Sequence, residues 1–123
     1  MILELNEEKR PDGITVLELI GRLTLGNVLM EAEHKVKGMI QAGARKMIVD
    51  LTKLSGLDSA GIGFLVFISG EMERASGKIC VIGANERVTQ IFAITHIDKV
   101  VMIEQSRDAA AAALNGAGSA AKA

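Results

Sequence analysis

The first part of the chain alternates apolar and polar residues, and one turn-forming segment interrupts the alternation. Strand-like runs at 2–5 and 14–20 flank the sequence Arg10-Pro11-Asp12-Gly13. Proline fixes φ, the aspartate side chain bonds to the local backbone, and glycine accepts a positive φ. The pattern therefore predicts an antiparallel hairpin at the start of the fold.

From Asn27 the apolar residues recur every three or four positions, which is the period of a helix. Gly43 provides a residue suited to end this helix. Further apolar segments predict strands at 46–51, 79–82 and 100–103. They also predict three helices. The first covers residues 59–75, the second is short and begins after a capping Asn85, and the third runs from a capping Ser106 to Leu114.

This order of elements predicts an α/β domain over residues 1–114. The expected architecture is a mixed, mostly parallel β-sheet with an N-terminal antiparallel hairpin and about four helices. Residues 115–123 are rich in Ala and Gly and have little apolar bulk, so we expect a flexible tail.

Composition narrows the functions to consider. The net charge is -1 and aromatic residues make up 2% of the chain, which argues against direct nucleic-acid binding. No apolar run approaches the roughly 20 residues of a membrane-spanning helix, so we expect a soluble, cytoplasmic protein. Cys80 is the single cysteine and lies in a predicted strand, where a small buried hydrophobe is its expected role.

The residues do not assemble a catalytic centre. A nucleophile elbow at Ser59 would need glycine at position 57, which is Leu57. His34 and His96 lie in different predicted elements without an acidic partner at a motif spacing. Gly61-Ile62-Gly63 is only part of a dinucleotide loop. We therefore expect no enzyme activity, no cofactor and no metal site.

The segment Asp58-Ser59-Ala60-Gly61-Ile62-Gly63 lies where a strand region leads into a helix. Ser59 could cap this helix, although Ile62 three residues later gives no capping box. Glycine in a first helical turn costs about 1 kcal/mol, which makes sense where another backbone comes close. The helix is also apolar on more than one side, which indicates deep packing or a surface for a partner.

These residues resemble a known family, the anti-sigma-factor antagonists, which are the single-domain form of the STAS fold. The resemblance covers nearly the whole chain and rests on three segments: Gly21-Arg22-Leu23-Thr24, Ile48-Val49-Asp50-Leu51 and Leu57-Asp58-Ser59-Ala60-Gly61-Ile62-Gly63. It implies that Ser59 is phosphorylated by an anti-sigma factor with serine kinase activity. The unphosphorylated antagonist would bind that partner and release its sigma factor, and a phosphatase would reset the switch.

A phosphate on Ser59 could control binding only where it is close to the partner, so we expect the partner surface at the first turns of the second helix, with the loop from Leu23 to Asn27 beside it. The expected contact residues are Leu23, Thr24, Asn27, Asp58, Ser59, Ala60, Gly61, Ile62, Gly63 and Val66. Many family members carry Asp at the position of Thr24 and a second serine at the position of Ala60. We expect a monomer or weak dimer. The alternatives are a scaffold subunit of a signalling or lipid-transport assembly, and a small nucleotide-binding or nucleotide-hydrolysing protein.

Overall fold

A computed structural model describes residues 3–116, which form one six-stranded sheet with helices on both faces. The strands are β1 (Glu4–Lys9), β2 (Thr15–Leu23), β3 (Lys46–Asp50), β4 (Leu54–Leu57), β5 (Lys78–Ile82) and β6 (Met102–Glu104). The helices are α1 (Asn27–Gln41), α2 (Ser59–Arg74), α3 (Glu86–Thr95) and α4 (Arg107–Leu114), with a short 3₁₀ turn at Ile97–Lys99.

The sheet has the order β1-β2-β3-β5-β6, and β4 pairs with β2 off this path. Only β1 and β2 are antiparallel; the other pairs are parallel. This confirms the predicted mixed, mostly parallel sheet with an N-terminal hairpin. The turn forms as expected, because the Asp12 carboxylate accepts the backbone N–H of Ile14 at 3.3 Å. Residues 117–123 of the predicted tail lie outside the described part of the chain.

Four strands differ from the sequence prediction by more than one residue. β1 and β2 extend to Lys9 and Leu23 rather than to residues 5 and 20, and Ile2, where the first strand was predicted to begin, lies outside the described residues. β4 was not predicted, because Leu-Ser-Gly-Leu lacks a β-branched run and its pairing with β2 is non-local. β6 begins at Met102 rather than residue 100. The backbone N–H groups of Val100 and Val101 both donate to the Ile97 carbonyl, so these residues close the 3₁₀ turn instead of entering the sheet.

The sheet is covered on both faces, with a separate apolar core on each. The larger core joins β2, β3 and β5 to α1, α2 and α3, and α2 contributes the fully buried Phe64, Leu65, Ile68 and Met72. The smaller core lies under α4 and includes Cys80, which is fully buried as predicted. Burial raises the pKa of this thiol to about 11, with a contribution from Glu104.

A charged cluster fastens the start of α4 to the sheet. Asp50, 4% exposed at the end of β3, accepts hydrogen bonds from Arg107 at 2.9 Å and from the Thr52 hydroxyl at 2.6 Å. Burial raises the pKa of Asp50, but the hydrogen bonds from Thr52 and Arg107 outweigh it and hold the pKa below its usual value. Arg107 also pairs with Glu8 at 3.2 Å, so the cluster links β1, β3 and α4.

Candidate functional site

The start of α2 is capped by Asp58, not by Ser59. The Oδ1 atom of Asp58 accepts the backbone N–H of Gly61 at 2.9 Å, which satisfies one of the free donors of the first turn. Ser59 is the first helical residue and is exposed. The interpretation of Ser59 as the helix cap is therefore wrong, and its hydroxyl remains available for other chemistry.

Asp58 also ties the loop between β2 and α1 to this helix. Its Oδ2 atom accepts the backbone N–H of Leu25 at 3.0 Å, and its own N–H donates to the Leu23 carbonyl at 3.4 Å. The N–H groups of Leu25 and Gly61 hold the pKa of Asp58 below its usual value. The carboxylate is thus charged at neutral pH, directly beside Ser59.

The two glycines of the first turn have different roles. A Cβ atom on Gly61 would overlap the carbonyl oxygen of Leu23 and lie 2.7 Å from Leu57 Cδ1. The close backbone neighbour that the sequence indicated for Gly61 therefore belongs to the chain itself. A Cβ atom on Gly63 would meet nothing within 4 Å, so Gly63 leaves open space on the exposed side of α2.

The exposed side of α2 is apolar near its start. Val66 is 43% exposed one turn beyond Ile62, which is half-buried. Leu25, at 81% exposed, follows β2 in the loop that Asp58 holds, and Met30 is 61% exposed in the first turn of α1. The helix therefore packs deeply on one side and presents apolar atoms to solvent on another.

The other predicted contact residues lie in the same region with different exposure. Thr24 is half-buried, Asn27 is exposed at the first position of α1, and Ala60 is half-buried. The side chain of Leu23 is fully buried, as is Gly61, so both support the site from beneath. His34 is exposed on α1, and His96 ends α3 with a φ of 61°.

A groove beside Asp58 was not predicted from the sequence. It has a volume of about 520 Å³ and lies between the β2–α1 loop, β4 and the start of α3. Its polar lining comes from Arg22, Thr24, Ser55, Asp58, Asn85 and Arg87. The sequence signal that could have indicated it is Arg87, a cation in the first turn of a helix, where the helix dipole disfavours positive charge.

The fold and the segment at residues 57–63 together define a STAS domain. A family model for the STAS domain matches residues 7–110, and the chain belongs to that family. Among residues 3–116, no helix combines the length and apolar character needed to span a bilayer.

Relatives of known name are similar over most of the chain. BtrV of Bordetella bronchiseptica is provisionally named an anti-sigma factor antagonist. It is 24% identical to this chain over 106 residues, which cover 86% of this chain and 90% of BtrV. The crystal structure of TM1081 from Thermotoga maritima has a TM-score of 0.82 at 20% identity and covers 89% of this chain and 93% of that one.

A third similar protein is the anti-sigma factor antagonist SpoIIAA. Its unphosphorylated form has a TM-score of 0.68 at 19% identity, covering 85% of this chain and 91% of SpoIIAA. The phosphorylated form of SpoIIAA from Bacillus also has a TM-score of 0.68. At these identities the structural similarity establishes the fold.

Proposed function

We propose that this protein is an anti-sigma factor antagonist controlled by phosphorylation of Ser59. Unphosphorylated, it binds an anti-sigma factor with serine kinase activity and so releases a sigma factor. Phosphorylated, it dissociates, and a phosphatase restores the active form. It acts in the cytoplasm as a binding module and not as an enzyme, without a cofactor and without contacting nucleic acid directly. The names of BtrV and SpoIIAA support the assignment.

The observation that carries the proposal is that Ser59 is exposed and does not cap α2. Asp58 caps the helix, so the Ser59 hydroxyl has no structural role within residues 3–116. It lies at the positive end of α2, whose N–H groups stabilise a phosphate on the free protein. A kinase can therefore modify Ser59 without unfolding the domain.

The switch works through desolvation of charge in the complex. A phosphate adds about −1.5 to −2 charges beside the ionised Asp58. When a partner covers this surface, the like charges lose their water, at a cost of several kcal/mol. A loss of about 4 kcal/mol converts nanomolar affinity into micromolar affinity.

The partner surface follows from the reach of that phosphate. Charges act most strongly at contact and are screened beyond a Debye length of about 8 Å at physiological salt. Ile62, Gly63 and Val66 lie within the first two turns from Ser59, and Val66 is 43% exposed. We therefore place the partner on the exposed apolar side of α2, with Leu25 and Asn27 at its edge.

The test compares charge at two ends of one helix. Ser59→Ala should bind the purified anti-sigma partner as tightly as wild type, and Ser59→Asp should bind at least about tenfold more weakly in titration calorimetry. Ser76→Asp, which adds the same charge just beyond the other end of α2, is the matched control and should bind normally.

Mass spectrometry after incubation with the partner kinase and ATP should place the phosphate on Ser59. Phosphate mainly on Thr24 or Ser55, or equal affinity of the Ser59→Ala and Ser59→Asp proteins, would contradict the proposal. A Ser59 that is never phosphorylated in cells would favour the scaffold-subunit alternative instead.

A further inference from the structure

The groove beside Asp58 brings together two arginines whose guanidinium groups have no partner among residues 3–116. The other four arginines are engaged. Arg10 pairs with Asp12, Arg74 with Glu71 and Arg107 with Asp50, and Arg45 donates to backbone carbonyl oxygens. Arg22 and Arg87 make no such contact, and both line this groove.

The side chain of Arg22 lies over a glycine on the neighbouring strand. It pairs with Gly56 across β2 and β4. A Cβ atom on Gly56 would lie 3.5 Å from Arg22 Cγ and 3.7 Å from Nε, so the side chain of Arg22 crosses β4 directly over the glycine. The missing side chain at position 56 gives the guanidinium group access to the groove.

Arg87 lies on the opposite side, in the first turn of α3. Asn85 caps this helix by accepting the N–H of Val88 at 2.9 Å. The helix dipole already makes this end positive, so Arg87 adds charge where folding disfavours it. A cation kept at such a position without a carboxylate partner in the described chain points to a role in binding.

The groove therefore has an excess of positive charge. Its one carboxylate, Asp58, already accepts the N–H groups of Leu25 and Gly61. Glu86, next to Arg87, is exposed and is not part of the lining, and Thr24, Ser55 and Asn85 are neutral. An anion entering the groove would meet two guanidinium groups, three neutral polar side chains and the positive end of α3, against the single carboxylate of Asp58.

We propose that the groove receives an acidic segment of the anti-sigma partner, whose Asp or Glu carboxylates pair with Arg22 and Arg87. The planar guanidinium fork binds a carboxylate through two parallel hydrogen bonds. A protein segment is the occupant because the groove continues into the switch surface: Leu25 and Asp58 line it, and Asp58 directly precedes Ser59. This inference rests on the proposed function and adds charge complementarity to it.

The partner is first isolated as the protein that wild type retains and Ser59→Asp does not. After this partner has been purified, the experiment measures the rate at which it associates with each variant. Arg22→Gln combined with Arg87→Gln should lower the association rate constant by about tenfold or more at about 0.05 M salt, because electrostatic steering is lost. The difference from wild type should shrink at about 0.3 M salt, where charges are screened. The melting temperature should be unchanged, since neither arginine has a partner in the described fold.

Lys9→Gln combined with Lys99→Gln is the matched control, because it removes the same two charges from exposed lysines that do not line the groove. An equal loss in this double lysine variant would show that net charge and not the groove is responsible. Unchanged association in the double arginine variant, with Ser59→Asp still defective, would overturn this inference and leave the proposed function intact. Equal binding of Ser59→Ala and Ser59→Asp would instead remove the proposed function.

A third arm uses inorganic phosphate at constant ionic strength. Competition between phosphate and the partner in wild type, but not in the double arginine variant, would support the shared anion site. Phosphate binding at Arg22 and Arg87 that leaves partner association unchanged would overturn the proposal in favour of a small-anion site.

Discussion

The carbonyl oxygen of Leu23 occupies the space that a side chain at position 61 would need. This contact joins the end of β2 to the first turn of α2. It brings the loop after β2 so close that Asp58 can bind the N–H of Leu25 and cap α2 with the same carboxylate. Ser59 is presented by this junction and not by α2 alone.

The two first-turn glycines should therefore respond oppositely to alanine. Gly61→Ala should lower the free energy of unfolding by about 1–3 kcal/mol, because backbone and not a flexible side chain blocks the new methyl group. Gly63→Ala should raise it by about 0.4–1 kcal/mol, since alanine is the better helix former and meets open space. Urea denaturation of both variants measures the contrast. Equal effects of the two substitutions on stability would contradict the close contact between the Leu23 carbonyl oxygen and Gly61.

Removing the carboxylate of Asp58 should loosen the site even without a partner. Asp58→Ala should lower the free energy of unfolding by about 1 kcal/mol through loss of the helix cap, and Asp58→Asn by less. The pKa of Asp58 is depressed, so its contribution is present above the usual carboxyl pKa and is lost as the pH falls through the folded value. Denaturation at neutral and acidic pH should show the difference from wild type vanishing in acid. Glu31→Ala, an exposed carboxylate on α1, should show no comparable loss at neutral pH.

Filling the open space at Gly63 should block the partner without unfolding the domain. Gly63→Leu should bind the anti-sigma partner at least about tenfold more weakly, because the added side chain stands where we propose that the partner docks. Its melting temperature should fall little or rise, since leucine favours the helix. Asp108→Ala, on α4, should bind as wild type does. Normal binding by Gly63→Leu and loss in Asp108→Ala would place the docking face elsewhere.

The cluster around Asp50 should control stability in acid. Arg107→Leu should lower the free energy of unfolding by about 2 kcal/mol at neutral pH. The expected loss is smaller than the usual cost of breaking a buried pair, because the side chain of Arg107 is 34% exposed. The pKa of Asp50 is depressed in the folded protein, so wild type loses this stability as the pH falls through the folded value. Without Arg107 the pKa of Asp50 is depressed less, so the variant should lose less stability in acid and its difference from wild type should shrink as the pH falls. Arg10→Leu, which breaks an exposed pair, should change stability little at either pH.

Local chemistry was enough to predict most elements from the sequence. The Pro-Asp-Gly turn and the caps Asn85 and Ser106 act through neighbouring residues, and the structure confirms each of them. The apolar periodicity predicted α1 and α2 closely, because burial against a sheet depends on the spacing of apolar residues.

The sequence by itself determined the mixed sheet, its helices and the position of Ser59 at the head of α2. Only the tertiary structure decided between Asp58 and Ser59 as the cap, because the two are adjacent and both residue types cap well. Asp58 prevails because its second oxygen binds Leu25, a residue that only the fold brings near. The same holds for β4 and the groove, since the pairing of Arg22 with Gly56 and the approach of Arg87 join segments that are distant along the chain.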